Sequence, residues 1–460
     1  MKYLNQNFLY SIMLLNMNVN ISLRAISKLH VKQASNFLIN GRRFISTSRI
    51  LCQEPIKNKS KEKVSFPGAT GSYFTNEIRF IQSIDPIPTY RVMDRQGKIT
   101  DPSQDPQVSE NFAVKIYKDM ITLNILDLIL YDAQRQGRIS FYMTNFGEEA
   151  CIGSAAGLDN EDMIFGQYRE AGTLLYRGFT LDELMNQCYS NENDLGKGRQ
   201  MPVHYGSKKL NFQTISSPLA TQIPQASGAA YALKRAGNKN CVMCYFGEGA
   251  ASEGDFHAAL NIAATMKCPV IFFCRNNGFA ISTPALEQYK GDGIASRGIG
   301  YGIDTIRVDG NDVWAIYNVT KAARKLAVEE NRPVLIEALT YRIGHHSTSD
   351  DSSAYRPKKE VEDWKRLDNP LVRLRKWLED KNWWNENFEN EYRSSIRKEI
   401  LTAFSKAEKL HKPSITELFN DVYDHPTPNI IAQRQKLKQL IEKYPNNYPL
   451  EKFKNKGKDL

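Results

Sequence analysis

Residues 245–257 read YFGEGAASEGDFH, and residues 274–283 read CRNNGFAIST. Each motif begins within or directly after a short apolar run, at residues 242–246 and 270–274, of the kind that forms buried parallel strands. Residues 251–266, between the two apolar runs, are predicted to form the crossover helix. Because the carboxyl ends of parallel strands meet at one edge of a sheet, both motifs are expected to face a single crevice.

Glu248 and Asn277 carry the side chains of this predicted crevice that suit a magnesium ion. Mg²⁺ takes a few hard oxygen ligands from the protein and completes its octahedron with phosphate oxygens and water. Gly247 and Gly249 allow the backbone to approach phosphate groups closely. A lone Gly-acid-Gly triplet is common in ordinary turns, so the amide on the next strand is what makes the pattern informative. Together the residues predict a magnesium pyrophosphate site.

The two motifs resemble those of thiamine diphosphate enzymes, in which Gly-Asp-Gly is followed after a spacer by Asn-Asn. Glu248 stands where the general pattern has Asp, which lengthens the ligand by one methylene group but keeps its charge. Longer stretches resemble the alpha subunits of mitochondrial branched-chain 2-oxo acid dehydrogenases: SSPLATQIPQA, GEGAASEGD, FFCRNNGFAISTP, RVDGNDV and YRIGHHSTSDDSSAYR. This resemblance covers most of residues 110–450 and implies thiamine diphosphate, magnesium and potassium as cofactors.

The resemblance also implies roles for individual residues. The expected magnesium ligands are Glu248, Asn277 and Phe279, the last through its main-chain carbonyl. The expected potassium ligands are Ser216, Pro218, Thr221 and Gln222. The expected contacts to thiamine diphosphate are Tyr168, Arg169, Ser217, Leu219, Gly249, Ala250, Arg275 and His346. Arginine guanidinium groups do match phosphate oxygens, but a surface ion pair between Arg169 and its neighbour Glu170 is the plain structural alternative.

His345 and His346 follow a predicted strand at residues 334–341 and precede a polar loop. Adjacent histidines point in different directions, so we do not expect them to bind one metal together. The resemblance implies that His346 is catalytic, lying against the cofactor and handling protons during acyl transfer to lipoamide. It also implies that Ser347 is a regulatory phosphorylation site, whereas the composition alone fits a solvated loop. The second phosphorylation site of the family corresponds to Pro357, which cannot be phosphorylated.

The activity implied by the resemblance is oxidative decarboxylation of branched-chain 2-oxo acids, with acyl transfer to the lipoyl groups of an acyltransferase core. No motif singles out the carboxylic acid that must protonate the aminopyrimidine ring of the cofactor. In the family this acid comes from a beta subunit, so the resemblance implies an α2β2 heterotetramer, with a regulatory kinase and phosphatase as further partners. Two alternatives stay open: the alpha subunit of pyruvate or acetoin dehydrogenase, and a noncatalytic scaffold subunit.

The first residues of the chain resemble a targeting segment. Seven Lys and Arg residues, but no Asp or Glu, lie within the first 53 residues. Residues 1–51 are therefore predicted to be a transit peptide for the mitochondrial matrix; a secretory signal with residues 8–15 as its apolar core is the alternative. Subtracting these seven charges from the net charge of +10 leaves +3, which does not indicate nucleic-acid binding. No segment is long enough to predict membrane insertion.

The rest of the chain is predicted to have three parts. Residues 52–110 form an extended arm, because Pro, Gly and polar residues interrupt any periodicity. Residues 111–358 form a doubly wound α/β domain of the thiamine diphosphate-binding type with a parallel sheet, opened by a long helix over residues 114–136. Residues 359–460 form a C-terminal helical region and tail.

Two local patterns have plain structural interpretations. The seven cysteines are scattered and mostly lie in apolar segments, which is typical of reduced, packed thiols; Cys241 and Cys244 have redox-motif spacing but lie within a predicted strand. Residues 216–219 are predicted to start a helix, because serines precede a proline there. Small residues at 226–230 then suit close helix packing, either within the fold or at a subunit interface.

Overall fold

The computed structural model describes residues 63–64, 66, 71–81 and 85–460. The predicted transit peptide, residues 1–51, lies outside this described part. The chain divides into two compact units, Met1–Ile81 and Gln82–Leu460. In the first unit, Lys63 and Tyr73 form an antiparallel bridge. The second unit contains the sheet and the helices described below.

The second unit is built on a parallel sheet. The strands are β1 Thr89–Tyr90, β2 Met163–Phe165, β3 Phe212–Gln213, β4 Val242–Gly247, β5 Val270–Asn276, β6 Phe279–Ala280, β7 Thr283–Pro284, β8 Asp304–Asp309 and β9 Val334–Leu339. Seven of them form one sheet in the order β1-β8-β9-β5-β4-β2-β3, and every neighbouring pair is parallel. Strands β6 and β7 form a separate antiparallel pair. The predicted doubly wound α/β fold is confirmed.

Helices connect and flank these strands. The α-helices are α1 Glu110–Arg135, α2 Ile152–Ala156, α3 Ala171–Tyr176, α4 Leu181–Tyr189, α5 Gln222–Arg235, α6 Gly254–Met266, α7 Ala285–Gln288, α8 Ala295–Gly300, α9 Val313–Glu330, α10 Lys358–Leu367, α11 Pro370–Asp380, α12 Glu386–Glu408 and α13 Pro428–Lys443. Short 3-10 turns lie at Pro102–Gln104, Glu149–Cys151, Lys208–Leu210, Ala250–Ser252, Ser352–Ala354, Ile415–Leu418, Pro445–Asn447, Leu450–Lys452 and Lys454–Gly457. Among the described residues, no helix is both long and apolar enough to cross a bilayer.

The long helix predicted over residues 114–136 spans Glu110–Arg135, and two further predicted helices begin later than expected. The predicted helix start at residues 216–219 is wrong, because Ala220 adopts a left-handed conformation with φ of 66° and α5 begins only at Gln222. The predicted crossover helix at residues 251–266 is shorter than expected, because a 3-10 turn at Ala250–Ser252 precedes α6. Both differences lie beside the crevice and leave its backbone irregular.

Both faces of the sheet are covered. Along β4, Met243 and Tyr245 belong to an apolar cluster that includes α1 and α9, whereas Cys244 and Phe246 belong to a second cluster with α5 and α6. This alternation follows the two-residue period of a strand and explains why the sequence of β4 is apolar throughout. Because helices bury both faces, a ligand can reach the sheet only at its edges or strand ends.

The last part of the predicted arm joins the sheet. Strand β1 pairs with β8, and the backbone NH groups of Val92 and Met93 donate to Asp312 Oδ2 at 2.7 and 2.6 Å. Asp312 also caps α9 by accepting from the backbone NH groups of Trp314 and Ala315. One buried carboxylate thereby joins the arm to the start of α9.

Candidate active site

The two sequence motifs meet at the carboxyl ends of β4 and β5. These strands are adjacent and parallel, with Gly247 in register with Arg275. Glu248 and Asn277 follow them directly, and the backbone NH of Asn277 lies 3.4 Å from Glu248 Oε2. Both side chains are buried. The topology thus brings the acid and the amide to one crevice, on the same side of the sheet edge.

A cavity of about 280 Å³ opens at this crevice. The predicted site residues that line it are Tyr168, Arg169, Leu219, Glu248, Gly249, Ala250, Arg275, Asn277, Phe279 and His346. Further lining residues include Gln167, Gln288 and Arg342. Ser217 is not among the lining residues; its hydroxyl instead lies 2.7 Å from His204 Nε2.

The carboxylate of Glu248 fits a divalent cation. Among the described residues, no donor reaches its buried Oε1 atom. Burial, together with the negative charge of Glu148, raises the pKa of Glu248 to about 7. An unpartnered buried carboxylate oxygen is unfavourable, and a cation that supplies positive charge would compensate for it. No cluster of three or more His, Cys, Asp or Glu side chains suited to a metal occurs in the described residues, so amide and carbonyl oxygens must complete such a site.

Arg275 lies in a buried network of charges behind the cavity. Its guanidinium contacts Glu148 at 2.6 Å and Glu170 at 2.9 Å, and all three side chains are only 2% exposed. Burial alone would raise the pKa of Glu148, but the charges of Arg275 and Arg169 outweigh it and lower that pKa. The surface pair between Arg169 and Glu170 that the sequence left open does not form. Glu170 pairs with Arg275, while Arg169 Nη2 donates to the carbonyl of His346 at 2.7 Å.

His346 lines the same cavity, and its side chain is uncharged at neutral pH. Burial lowers its pKa to about 3, and the nearby charges of Arg169 and Arg342 lower it further. Its Nδ1 atom lies 3.4 Å from Arg342 Nη1, and its ring meets that of Tyr168 edge to face at 5.9 Å between centroids. The imidazole is therefore uncharged at neutral pH, and its Nδ1 atom can accept a hydrogen bond from Arg342.

The polar loop after His346 is anchored rather than freely solvated. Ser347 is 8% exposed, and its hydroxyl accepts from the backbone NH of Ser349 at 3.2 Å. Tyr355 donates to Asp350 Oδ2 at 2.6 Å, and Asp350 in turn accepts from the backbone NH of His346 at 2.8 Å. The interpretation of a solvated loop, which the composition left open, is therefore wrong.

The predicted potassium ligands lie in the segment after β3 and at the first residue of α5. Gln222 is buried, and its amide nitrogen donates to the carbonyl of Tyr245 at 2.9 Å. Ser216 and Thr221 are half-buried, and Pro218 is exposed. This segment contains the left-handed Ala220, which turns the chain between the serines and α5.

Comparison with known proteins assigns this architecture to a family. Residues 117–416 match the model of the dehydrogenase E1 component. The chain belongs to this family. The mitochondrial 2-oxoisovalerate dehydrogenase subunit alpha of Dictyostelium discoideum is 59% identical over 382 residues, covering 83% of this chain and 87% of the relative. The Homo sapiens protein of the same name is 56% identical over 428 residues, covering 92% and 96%, and subunit alpha 2 of Arabidopsis thaliana is 55% identical over 389 residues, covering 84% and 82%.

Several residues of this E1 component site were missed by the sequence reasoning. Gln167 accepts from the backbone NH of Gly247 at 3.1 Å, and Arg342 donates to the carbonyl of Ile281 at 2.6 Å. Glu148 and Glu170 supply the carboxylates around Arg275. An acid within the apolar stretch FGEEACIGSAAG was the available signal for Glu148, because a buried acid usually has a specific partner.

Proposed function

We propose that this E1 component is the alpha subunit of a mitochondrial branched-chain 2-oxo acid dehydrogenase. Its reaction is the thiamine diphosphate-dependent oxidative decarboxylation of branched-chain 2-oxo acids, with the acyl group passed to lipoamide. The observation that carries the proposal is the convergence of Glu248 and Asn277 beside the ends of adjacent strands, in one cavity with Arg169 and His346. The relatives named as mitochondrial 2-oxoisovalerate dehydrogenase subunit alpha support both the substrate class and the matrix location.

In this proposal the cavity holds the diphosphate end of the cofactor. Glu248, Asn277 and the carbonyl of Phe279 would hold magnesium, which would supply positive charge to the phosphate groups. A side chain at position 249 would be crowded, because its Cβ atom would lie only 3.0 Å from the Cβ atom of Ala280. Glycine at this position would let the backbone approach the phosphates closely. Arg169 supplies positive charge to the diphosphate. Arg275 also lines the cavity, while its guanidinium is paired with Glu148 and Glu170. When bound, thiamine diphosphate provides the electron sink that decarboxylation of a 2-oxo acid requires.

We also propose that the segment before α5 holds a potassium ion through Ser216, Pro218, Thr221 and Gln222. The amide of Gln222 donates to Tyr245 in β4, which leaves its oxygen as the free end of the side chain. An ion at this position would stiffen the turn that carries Ser217 and Leu219, which are two of the expected cofactor contacts.

A beta subunit completes the active site in this proposal. Leu219, Ile281 and Leu286 are exposed large apolar residues around or near the cavity, and Leu286 is 84% exposed. Such a group of side chains suits coverage by a partner protein. The partner would supply the carboxylic acid that contacts the aminopyrimidine ring, within an α2β2 assembly that delivers acyl groups to a lipoyl-bearing acyltransferase core.

Regulation is proposed to act on Ser347 through a kinase and a phosphatase. A phosphate would add nearly two negative charges to a buried hydroxyl close to Asp350. The loop cannot keep its present contacts around such a group, because both the volume and the charge are incompatible with the closed packing. The loop contacts beside His346 are then lost, and lipoamide-dependent activity with them. Pro357 excludes a second phosphorylation at its position.

The experiment that tests the proposal is coexpression with a beta subunit, followed by reconstitution with an acyltransferase core. Calorimetry should detect thiamine diphosphate binding in the presence of magnesium by the αβ complex and none by this chain alone. Oxidation of 3-methyl-2-oxobutanoate should be faster than oxidation of pyruvate. Preference for pyruvate would instead favour the pyruvate dehydrogenase alternative, and an absence of cofactor binding by the complex would favour a noncatalytic scaffold.

A further inference from the structure

Asn277 makes a contact that decides which end of its side chain faces the cavity. Its amide nitrogen Nδ2 donates to Glu148 Oε1 at 2.9 Å. The amide oxygen accordingly points the other way, where it accepts from the backbone NH of Phe279 at 3.2 Å. A carboxamide oxygen has two acceptor sites, so one remains for a cation. Rotating this amide by half a turn would instead present an NH₂ group, which repels a cation.

Glu148 is held in place for this contact by a second donor. Its other oxygen, Oε2, accepts from Arg275 Nη1 at 2.6 Å, and the side chain is 2% exposed. Both carboxylate oxygens are therefore engaged by N–H donors. Glu148 is consequently not placed to be a metal ligand itself, in contrast to Glu248, whose Oε1 atom lacks a partner among the described residues.

We propose that Glu148 is a positioning residue that fixes the amide of Asn277 with its oxygen toward the metal. The inference rests on the proposed magnesium site and adds to it the residue that orients one ligand. Replacing a residue that hydrogen-bonds to a metal ligand typically lowers the metal affinity by about 10–100-fold. Glu148 lies more than 100 positions before Asn277 in the chain, so no local motif reveals the contact.

The Glu148→Gln variant tests the orientation directly. A glutamine has one oxygen, and Arg275 should take it because a hydrogen bond from a charged donor is the stronger one. The glutamine NH₂ group then faces the amide of Asn277 and favours the rotated orientation. We expect the Mn²⁺ affinity of the αβ complex with thiamine diphosphate, measured by electron paramagnetic resonance of the free ion, to fall about 10–100-fold.

A second substitution distinguishes orientation from general damage. Asn277→Asp alone places a carboxylate against Glu148 and should also weaken Mn²⁺ binding. In the double variant Glu148→Gln/Asn277→Asp the donor and acceptor are exchanged, and aspartate presents an oxygen in either orientation. We expect the double variant to bind Mn²⁺ more tightly than either single variant. The inference would be overturned by a double variant whose Mn²⁺ affinity does not exceed that of the weaker-binding single variant. It would also be overturned by a Glu148→Gln complex whose Mn²⁺ affinity is unchanged.

A separate variant tells failure of this inference from failure of the proposed site. Glu248→Gln removes the expected charged ligand itself and should abolish Mn²⁺ binding in the same assay. If Glu248→Gln binds Mn²⁺ normally, the metal site has been assigned to the wrong residues. If Glu248→Gln loses the ion while Glu148→Gln keeps it, the site stands and the role of Glu148 is refuted. Thermal unfolding of each complex checks folding, and Glu148→Asp, which keeps both acceptor oxygens, should retain more affinity than Glu148→Gln.

Discussion

Replacing Arg275 with methionine removes the cation between two buried carboxylates. The guanidinium lies 2.6 Å from Glu148 and 2.9 Å from Glu170, and each of these side chains is 2% exposed. Methionine keeps much of the volume but leaves both acids without their shared partner. Breaking a buried ion pair from one side costs about 3–5 kcal/mol, and we expect Arg275→Met to lower the free energy of unfolding by that amount.

The assay is urea unfolding of the coexpressed αβ complex, followed by circular dichroism. Adding Glu170→Gln to Arg275→Met removes one of the uncompensated charges, so the double variant should recover part of the loss, with a coupling of about 1–3 kcal/mol. Arg332→Met is the matched control, because its pairs with Asp304 and Glu330 are exposed and its loss should change little. A small effect of Arg275→Met, or additive effects of the two substitutions, would refute the argument.

Three further predictions address other parts of the fold. Burial raises the pKa of Asp127 to about 7, so its stabilising contribution is present below the unfolded pKa near 4 and is lost as the pH rises through about 7. Asp127→Asn should lack this loss. Its stability relative to wild type, measured by thermal unfolding, should improve by about 2 kcal/mol between about pH 5 and about pH 8. A stability difference between variant and wild type that does not change with pH would contradict this. Ser347→Glu should abolish lipoamide-dependent activity while Ser353→Glu, at an exposed position of the same loop, retains it; full activity of the Ser347 variant counts against the regulatory proposal. Gly153→Ala should destabilise the complex by about 1–3 kcal/mol, because its Cβ would lie 2.5 Å from a backbone carbonyl oxygen, whereas Gly300→Ala meets nothing within 4 Å and should be tolerated in a urea titration.

The sequence predicted the sheet and the crevice because those depend on local patterns. Strands β4 and β5 are continuous apolar runs, and the helix between them requires a parallel crossover. Once the strands are adjacent, Glu248 and Asn277 must follow their ends at the same edge. The position of these two residues is therefore a consequence of strand length and connection alone.

Other features could not be predicted because they depend on distant or unusual contacts. The partners of Arg275 come from Glu148 and Glu170, more than 100 positions earlier in the chain, and only tertiary packing brings them together. Strand β1 is two residues long, too short for any periodicity to reveal it. The delayed start of α5 follows from a left-handed conformation at Ala220, which sequence rules reserve for glycine and asparagine.

Glu248, Asn277 and the carbonyl of Phe279 are proposed to bind one divalent cation. Anomalous diffraction from crystals of the αβ complex, grown with thiamine diphosphate and Mn²⁺ in place of Mg²⁺, tests this most directly. We expect one strong manganese peak within bonding distance of Glu248, the amide oxygen of Asn277 and the Phe279 carbonyl. A peak bound to other residues, or a cofactor in this cavity without a metal at these oxygens, would contradict it.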